Sequence, residues 1–236
     1  MKRKEIHPYL KDGNIKGATK LILGSFPVFA CTNPDSREKL KIRNTAGTVQ
    51  FFYGSCKNKF WGLYHQHIDS EVTVPVRKLV ALRSLQKNKI AISDTIVSCR
   101  RKGISSLDKD LFDRAYNVEM IHKMIQYGVS KILCTSKGVL KDLDRKILSG
   151  IDGVKRDKDL TKEFSDIFLK GINGKLAPLT EGICFVYRFN ERIIYALAVP
   201  SPGSPQRQEH NFGCRSQDPL YYTNKYYEKA FNWIKK

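Results

Sequence analysis

Eleven residues, FFYGSCKNKFW at positions 51–61, combine five aromatic rings with a single carboxamide, Asn58, set between Lys57 and Lys59. A surface loop rarely carries so many rings, and a core strand does not accommodate Ser55, Lys57, Asn58 and Lys59 in its middle. The stretch reads as the lip of a pocket, with rings to stack on something flat and an amide to bind or attack it. Two further stretches suit ligand contact. LGSFP (23–27) places Gly24, Ser25 and Pro27 after an apolar run, where a glycine lets backbone approach a ligand and frees N–H groups for an anion. A plain strand-end turn has the same composition. VPSPGSPQR (199–207) has three prolines that fix φ and stiffen the loop, serine hydroxyls suited to phosphate, and a positive fork at Arg207. A rigid surface turn is the other reading. No G-x-G-x-x-G or G-K-[ST] follows Gly24, which excludes a dinucleotide fingerprint and a P-loop.

Other chemistry is disfavoured by spacing. His65 and His67 stand two apart, so on a helix they do not share a face, and no third metal ligand is near. The six cysteines show no C-x-x-C spacing, which argues against a zinc ribbon or an iron–sulfur cluster and for small buried hydrophobes in a reducing compartment. Forty-two Lys and Arg against 23 Asp and Glu leave a net charge of +19, which attracts polyanions and makes nucleic acid the favoured partner over a merely well-solvated surface. The basic MKRKEIHPYLK is followed by no apolar h-region, and no apolar run approaches membrane-spanning length. A cytoplasmic chain without a membrane partner is expected.

Short apolar runs mark the elements that would position these residues: KLILG (20–24), KIAIS (89–93), KILCTS (131–136), GICFVYRF (182–189) and RIIYALAVP (192–200). All are strand candidates, and the last two, separated by Asn190 and Glu191, read as a hairpin or sheet edge. Helical patterns begin near Phe60, at 74–86 with Val76, Leu79, Val80 and Leu82 on one face, and at 117–128 with Gly128 as C-cap. Tyr221, Tyr222, Tyr226, Tyr227 and Trp233 fit a C-terminal helix packed on the core. Alternating strands and helices predict an α/β domain with a mainly parallel sheet and helices on both faces. Connections 25–50, 100–115 and 201–218 follow strand ends, where open α/β sheets bind ligands, and are expected to meet around one cleft. Residues 1–236 read as one domain, with 150–178 as an insertion or helical excursion too short for its own core.

In this order, LILGSFP, FFYGSCKNKFW, ISDTIVSCRRKGISSLDKDL and AVPSPGSPQR resemble the motifs of the uracil-DNA glycosylase superfamily, most closely its hypoxanthine-DNA glycosylases and, further off, its mismatch-specific uracil/thymine glycosylases. The likeness spans most of residues 18–235. It implies a three-layer α/β/α sandwich that receives a nucleotide flipped out of DNA and hydrolyses its N-glycosidic bond, since a base inside a duplex is unreachable. The substrate would be DNA holding a deaminated base, hypoxanthine or uracil, and the enzyme a monomer needing no metal or cofactor.

The resemblance also implies roles. Gly24, Ser25 and Phe26 match the first motif and would line the base pocket. Many relatives hold the attacking water there with Asp or Asn, as in G-I-N-P-G, but the hypoxanthine branch lacks that group, as Phe26 does. Tyr53, five residues before Asn58, stands where mismatch-specific relatives keep their stacking aromatic. Asn58 matches the second-motif Asn thought to be catalytic in the hypoxanthine branch. Asp94, in the ISDT of the third motif, is the second catalytic candidate, for base recognition or water positioning; an Asp capping a strand-end turn is its plain alternative. Ser201, Gly203, Ser204 and Arg207 would belong to the loop that pinches the DNA backbone. A non-catalytic nucleic-acid-binding protein on the same fold, or an enzyme acting on free nucleotides, are the competing readings.

Overall fold

Leu21, Ile22 and Leu23 have no solvent exposure, as a strand covered on both faces requires. They lie on an inner strand of a six-stranded sheet in a computed structural model that describes residues 4–33, 47–105, 107–173, 182–203 and 219–236. Counting from β1 (Lys4–Ile6), this sheet runs β3 (Ile90–Asp94), β2 (Lys20–Gly24), β6 (Lys131–Cys134), β9 (Arg192–Ala198), β8 (Cys184–Phe189), β7 (Val154–Asp157). The first four strands are mutually parallel, and β8 and β7 join antiparallel. Helices flank the sheet, giving the mixed α/β fold with a mostly parallel centre that the alternating pattern predicts. The β8–β9 hairpin turns through Asn190 at φ 53° and Glu191, where sequence placed it.

A separate three-stranded antiparallel sheet, ordered β1, β4 (Ile96–Arg101), β5 (Leu111–Tyr116), takes in both ends of what reads from sequence as the loop 100–115. Its strands carry IVSCRR and LFDRAY, too polar to stand out as apolar runs. β7 is another unpredicted strand, inside the segment 150–178. Its central Lys155 and Arg156 are exposed, a charge pattern that blunts a sheet edge against further pairing. The same segment continues as a helix over Lys158–Asn173.

The described helices are α1 (Phe29–Thr32), α2 (Phe60–His67), α3 (Lys78–Lys87), α4 (Val118–Gln126), α5 (Lys137–Asp142), α6 (Lys158–Asn173) and α7 (Pro219–Lys235). Gly128 follows α4 at φ 120°, as a C-capping glycine does, and the Ser136 hydroxyl accepts the Val139 N–H at the start of α5. The expected face of α3 is corrected at Leu79, while Val80 and Leu82 pack half-buried against the core. Ala81, Ser84 and Leu85 are buried, while Leu79 is 69% exposed. The helix starts at Lys78, so Val76 packs from the preceding loop, and Ser84 is drawn inward by hydrogen bonds to Tyr64 and Asp69. On α7, Tyr226 and Tyr227 are fully buried and Trp233 packs against the core; the side chains of Tyr221 and Tyr222 lie outside the described residues. No helix among the described residues is long and apolar enough to cross a membrane.

Candidate functional site

The chain steps from β2 to β3 on one side and to β6 on the other, leaving a crevice at the carboxyl ends of the strands. A cavity of about 540 Å³ opens there, lined by described parts of the three long connections, residues 25–31 with Thr48, Ile104 with 107–109, and Ser201 to Gly203, and by Phe51 and 53–58 of the aromatic stretch. The three connections meet around one cleft, as their positions after the strands predict.

Parallel pairing sets Gly24 beside Asp94 at the cavity floor. A Cβ on Gly24 would stand 2.1 Å from Asp94 Oδ1 and 2.6 Å from the Tyr53 hydroxyl, so only glycine lets both approach the strand end. Asp94 is 4% exposed and lines the cavity. Among the described residues its carboxylate caps no turn. Oδ2 accepts a 2.8 Å hydrogen bond from His7 Nε2, while Asn117 Nδ2 donates to the Asp94 backbone carbonyl and fixes the turn from behind. Sequence gave no hint of His7, whose side chain is wholly buried.

Tyr53 sits at φ 52°, a conformation rare outside glycine, which swings its side chain into the cavity. Its ring packs on Phe60 with centroids 4.3 Å apart, and its hydroxyl, with Thr135 beside it, makes no hydrogen bond of normal geometry. Burial, and next the charge of Asp94, raise the phenol's pKa well above its usual value, so it is a neutral donor. The other rings of 51–61 differ from the lip that sequence suggests. Phe52, Phe60 and Trp61 turn into the core, where Trp61 Nε1 donates to the Phe52 carbonyl at 2.8 Å; Phe51 is also fully buried, though it borders the cavity. Burying these large apolar faces anchors the loop that presents Tyr53 and Asn58.

Asn58 stands at the cavity rim. Its Oδ1 accepts the Phe60 N–H at 2.9 Å at the start of α2, which leaves the Nδ2 amide as its free donor; Nδ2 lies 3.8 Å from where a Gly203 Cβ would be. The Lys59 N–H donates to the Pro202 carbonyl, tying this loop to the described part of the Pro/Ser loop, and Tyr227 holds that loop through Pro200. Ser201 and Gly203 line the mouth; Ser204 and Arg207 lie outside the described residues.

Ser25 is not a free hydroxyl for an anion, because it donates to Asp108 Oδ1 at 2.7 Å. Asp108 is a second carboxylate on the cavity wall that the sequence reading missed. Desolvation by the surrounding protein raises its pKa, against the pull of Ser25 and Arg114. Phe26 borders the cavity but is 8% exposed and packs with Ile96, Cys99 and Leu111, its ring edge-on to His7 at 5.5 Å. Arg101, within the third-motif stretch, is also missed as a site residue. Buried, it pairs with Glu5 and donates to the carbonyls of Pro27 and Ser105, clamping two segments of the cavity wall. Among the described residues, no group of three His, Cys, Asp or Glu side chains is placed to hold a metal ion. The arrangement thus has carboxylates on the floor and wall, neutral donors in Tyr53 and Asn58, and exposed Lys57, Lys59 and Lys109 at or beside the rim.

No family model matches the chain, and no curated protein matches it. Among solved structures, the solution NMR structure of "a putative Uracil DNA glycosylase from Methanosarcina acetivorans" matches with a TM-score of 0.51 and 16% identity, over 99% of this chain and 100% of that one. The likeness is one of fold. In this fold the described candidate residues surround the crevice at the carboxyl ends of the parallel strands.

Proposed function

We propose that the chain is a DNA glycosylase that flips a deaminated base, hypoxanthine or uracil, into the cavity and hydrolyses its N-glycosidic bond. The observation that carries this reading is the Asp94 carboxylate at the floor of a cavity that also presents two unengaged donors, Tyr53 hydroxyl and Asn58 amide, below a lysine rim. Exposed lysines suit the phosphate backbone, and a neutral base suits the interior. A buried hydroxyl without a partner costs about 1–3 kcal/mol, which a base carbonyl would relieve.

Departure of the base leaves positive charge on the sugar and negative charge on the base. Water adds to C1′ as the C1′–N bond breaks, and the bonding electrons leave with the base. The water's proton passes to Asp94, whose negative charge also stabilises the cationic sugar. Tyr53 O–H or Asn58 Nδ2–H stabilises the base anion, which then takes a proton from solvent. Asn58 fits this donor role better than water activation, because its carbonyl oxygen is already engaged by α2. The steps call on no metal, cofactor or second subunit.

Single-turnover assays on end-labelled duplexes with one uracil, hypoxanthine or xanthine, followed by alkaline cleavage of abasic sites, test the reading. Wild type should give product, and Asn58→Ala should lose about 10²-fold or more, as for a transition-state donor. No product from wild type on any of the three would defeat it. Phe26, where many relatives hold water with an amide or carboxylate, favours a second reading, a non-catalytic nucleic-acid-binding protein. That reading expects a steep salt dependence with no preference for damaged or abasic DNA.

A further inference from the structure

Strand β1 is built inside out. Ile6 is 73% exposed, whereas Glu5 and His7 on either side are 8% and 6% exposed. A half-buried strand ordinarily turns its apolar residues inward, and buried polar groups cost stability unless each is paired. Glu5 is paired with Arg101. His7 occupies a cage of rings, Tyr9, Phe26 and Phe52, with centroids 5.3 to 5.8 Å away, where an apolar side chain would pack without penalty. Breaking the pattern here implies that the imidazole is kept for its hydrogen bonds.

Those bonds determine the tautomer. The Tyr9 N–H donates to His7 Nδ1 at 3.1 Å, so Nδ1 is the unprotonated acceptor and Nε2 carries the proton that goes to Asp94 Oδ2. The backbone is pinned as well, since His7 N–H donates to the Val97 carbonyl at 2.8 Å. With Oδ2 engaged, Oδ1 is the carboxylate oxygen left beside Gly24 and the Tyr53 hydroxyl. Among the described residues, Tyr9, Tyr53 and Asp108 are titratable groups that face this pair.

We propose that His7 is a positioning residue: as a neutral Nε2–H donor it holds Asp94 by Oδ2 and aims Oδ1 at the water that attacks C1′. His7 neither gains nor loses a proton in the cycle, and the water's proton goes to Oδ1. The inference rests on the glycosylase reading for its catalytic consequence, whereas the hydrogen bond and tautomer stand apart from it.

The test combines a spectroscopic and a kinetic arm. In wild type, the ¹⁵N shifts of His7 should report an Nε2-protonated neutral ring at neutral pH, and Asp94→Asn should move the Nε2–H signal. An Nδ1-protonated or doubly protonated ring, or a signal indifferent to Asp94→Asn, overturns the proposal without any His7 variant having to fold. In the kinetic arm, His7→Phe keeps the ring volume but removes the donor. It should lower the single-turnover rate about 10- to 100-fold, the effect of a misaimed reacting group, with affinity for abasic DNA unchanged. His7→Gln, whose amide nitrogen mimics Nε2, should recover much of that loss. Full activity in His7→Phe, or equal rates in the Phe and Gln variants, overturns the positioning role while leaving the glycosylase reading intact. An inactive wild type removes the glycosylase reading and the catalytic consequence together, and the spectroscopic arm alone then decides the hydrogen bond.

Discussion

The two sheets solve the problem of burial in different ways. In the larger sheet, β2, β3 and β6 bury Leu21, Ile22, Ile90, Ala91, Ile132 and Leu133 completely. In the smaller one, Ile96, Cys99 and Leu111 share the interior with Glu5, Ser98, Arg101 and the adjoining His7, while Ile6 and Phe112 face solvent. Both flank the same cavity. An apolar sheet holds position through packing, which is insensitive to orientation at the level of one hydrogen bond; a polar interior specifies direction, since each group is satisfied in few geometries. The larger sheet thus supplies the platform, and the smaller one aims what stands on it: His7 holds Asp94, and Arg101 holds the carbonyl of Pro27.

Changes at the junction of the two should have the largest effects on activity and the least on folding. Asp94→Asn removes the proton acceptor and should lower the single-turnover rate by about 10²–10⁴-fold while abasic-DNA binding persists. Gly24→Ala comes next. Its Cβ would overlap Asp94 Oδ1 and the Tyr53 hydroxyl, so the carboxylate must move, and a displacement near 1 Å costs about 10²-fold. A Gly24→Ala protein with unaltered rate would show that the floor of the cavity is not where the chemistry occurs.

Stability separates the sheets further. Removing one member of a buried ion pair, as in Arg101→Met, strands the other charge and should cost about 3–5 kcal/mol. Leu133→Ala in the apolar sheet should cost about 2–5 kcal/mol through the cavity it leaves. The contrast lies in the second change. Adding Glu5→Leu to Arg101→Met should restore part of the loss, although the carbonyls of Pro27 and Ser105 lose their donor and Thr32 keeps only the Phe29 carbonyl as acceptor. No second deletion should rescue Leu133→Ala. Equilibrium denaturation of the single and double variants measures both.

The same contrast explains what the sequence reveals. KLILG, KILCTS and RIIYALAVP announce themselves because a strand buried on both faces must be continuously apolar, and Asp94 and Gly24 are legible as the residues that end such runs. IVSCRR, LFDRAY and VKRD are not legible, because strands that bury polar groups or guard an edge have no hydrophobic period. His7 lies just past a run of charge and Arg101 within one, and their burial depends on partners 87 and 96 residues away. The spacing of FFYGSCKNKFW marks the right loop, yet spacing does not show which rings face the core. Tyr53 reaches the cavity because its backbone adopts a positive φ that composition does not predict.

The smallest expected effect lies in the alkaline range. Cys99 sits on the smaller sheet with no exposure, and burial pushes its thiol up to about 11 from an ordinary 9.0, with Arg101 pulling the other way. Between those values the unfolded chain has released the proton and the folded chain has not. Folding then retains a proton, so stability is full below pH 9 and falls as pH rises toward 11, by up to about 1.4 kcal/mol per pH unit for this one group. In the larger sheet Cys184 is pushed up to about 12, so its share of the decline extends further into alkali. Cys99→Ala should therefore flatten the fall between pH 9 and 11 in urea titrations, even if the variant is less stable at pH 7. A slope equal to that of wild type would mean that Cys99 ionises in the folded protein, and that the interior of the smaller sheet admits solvent where the larger one does not.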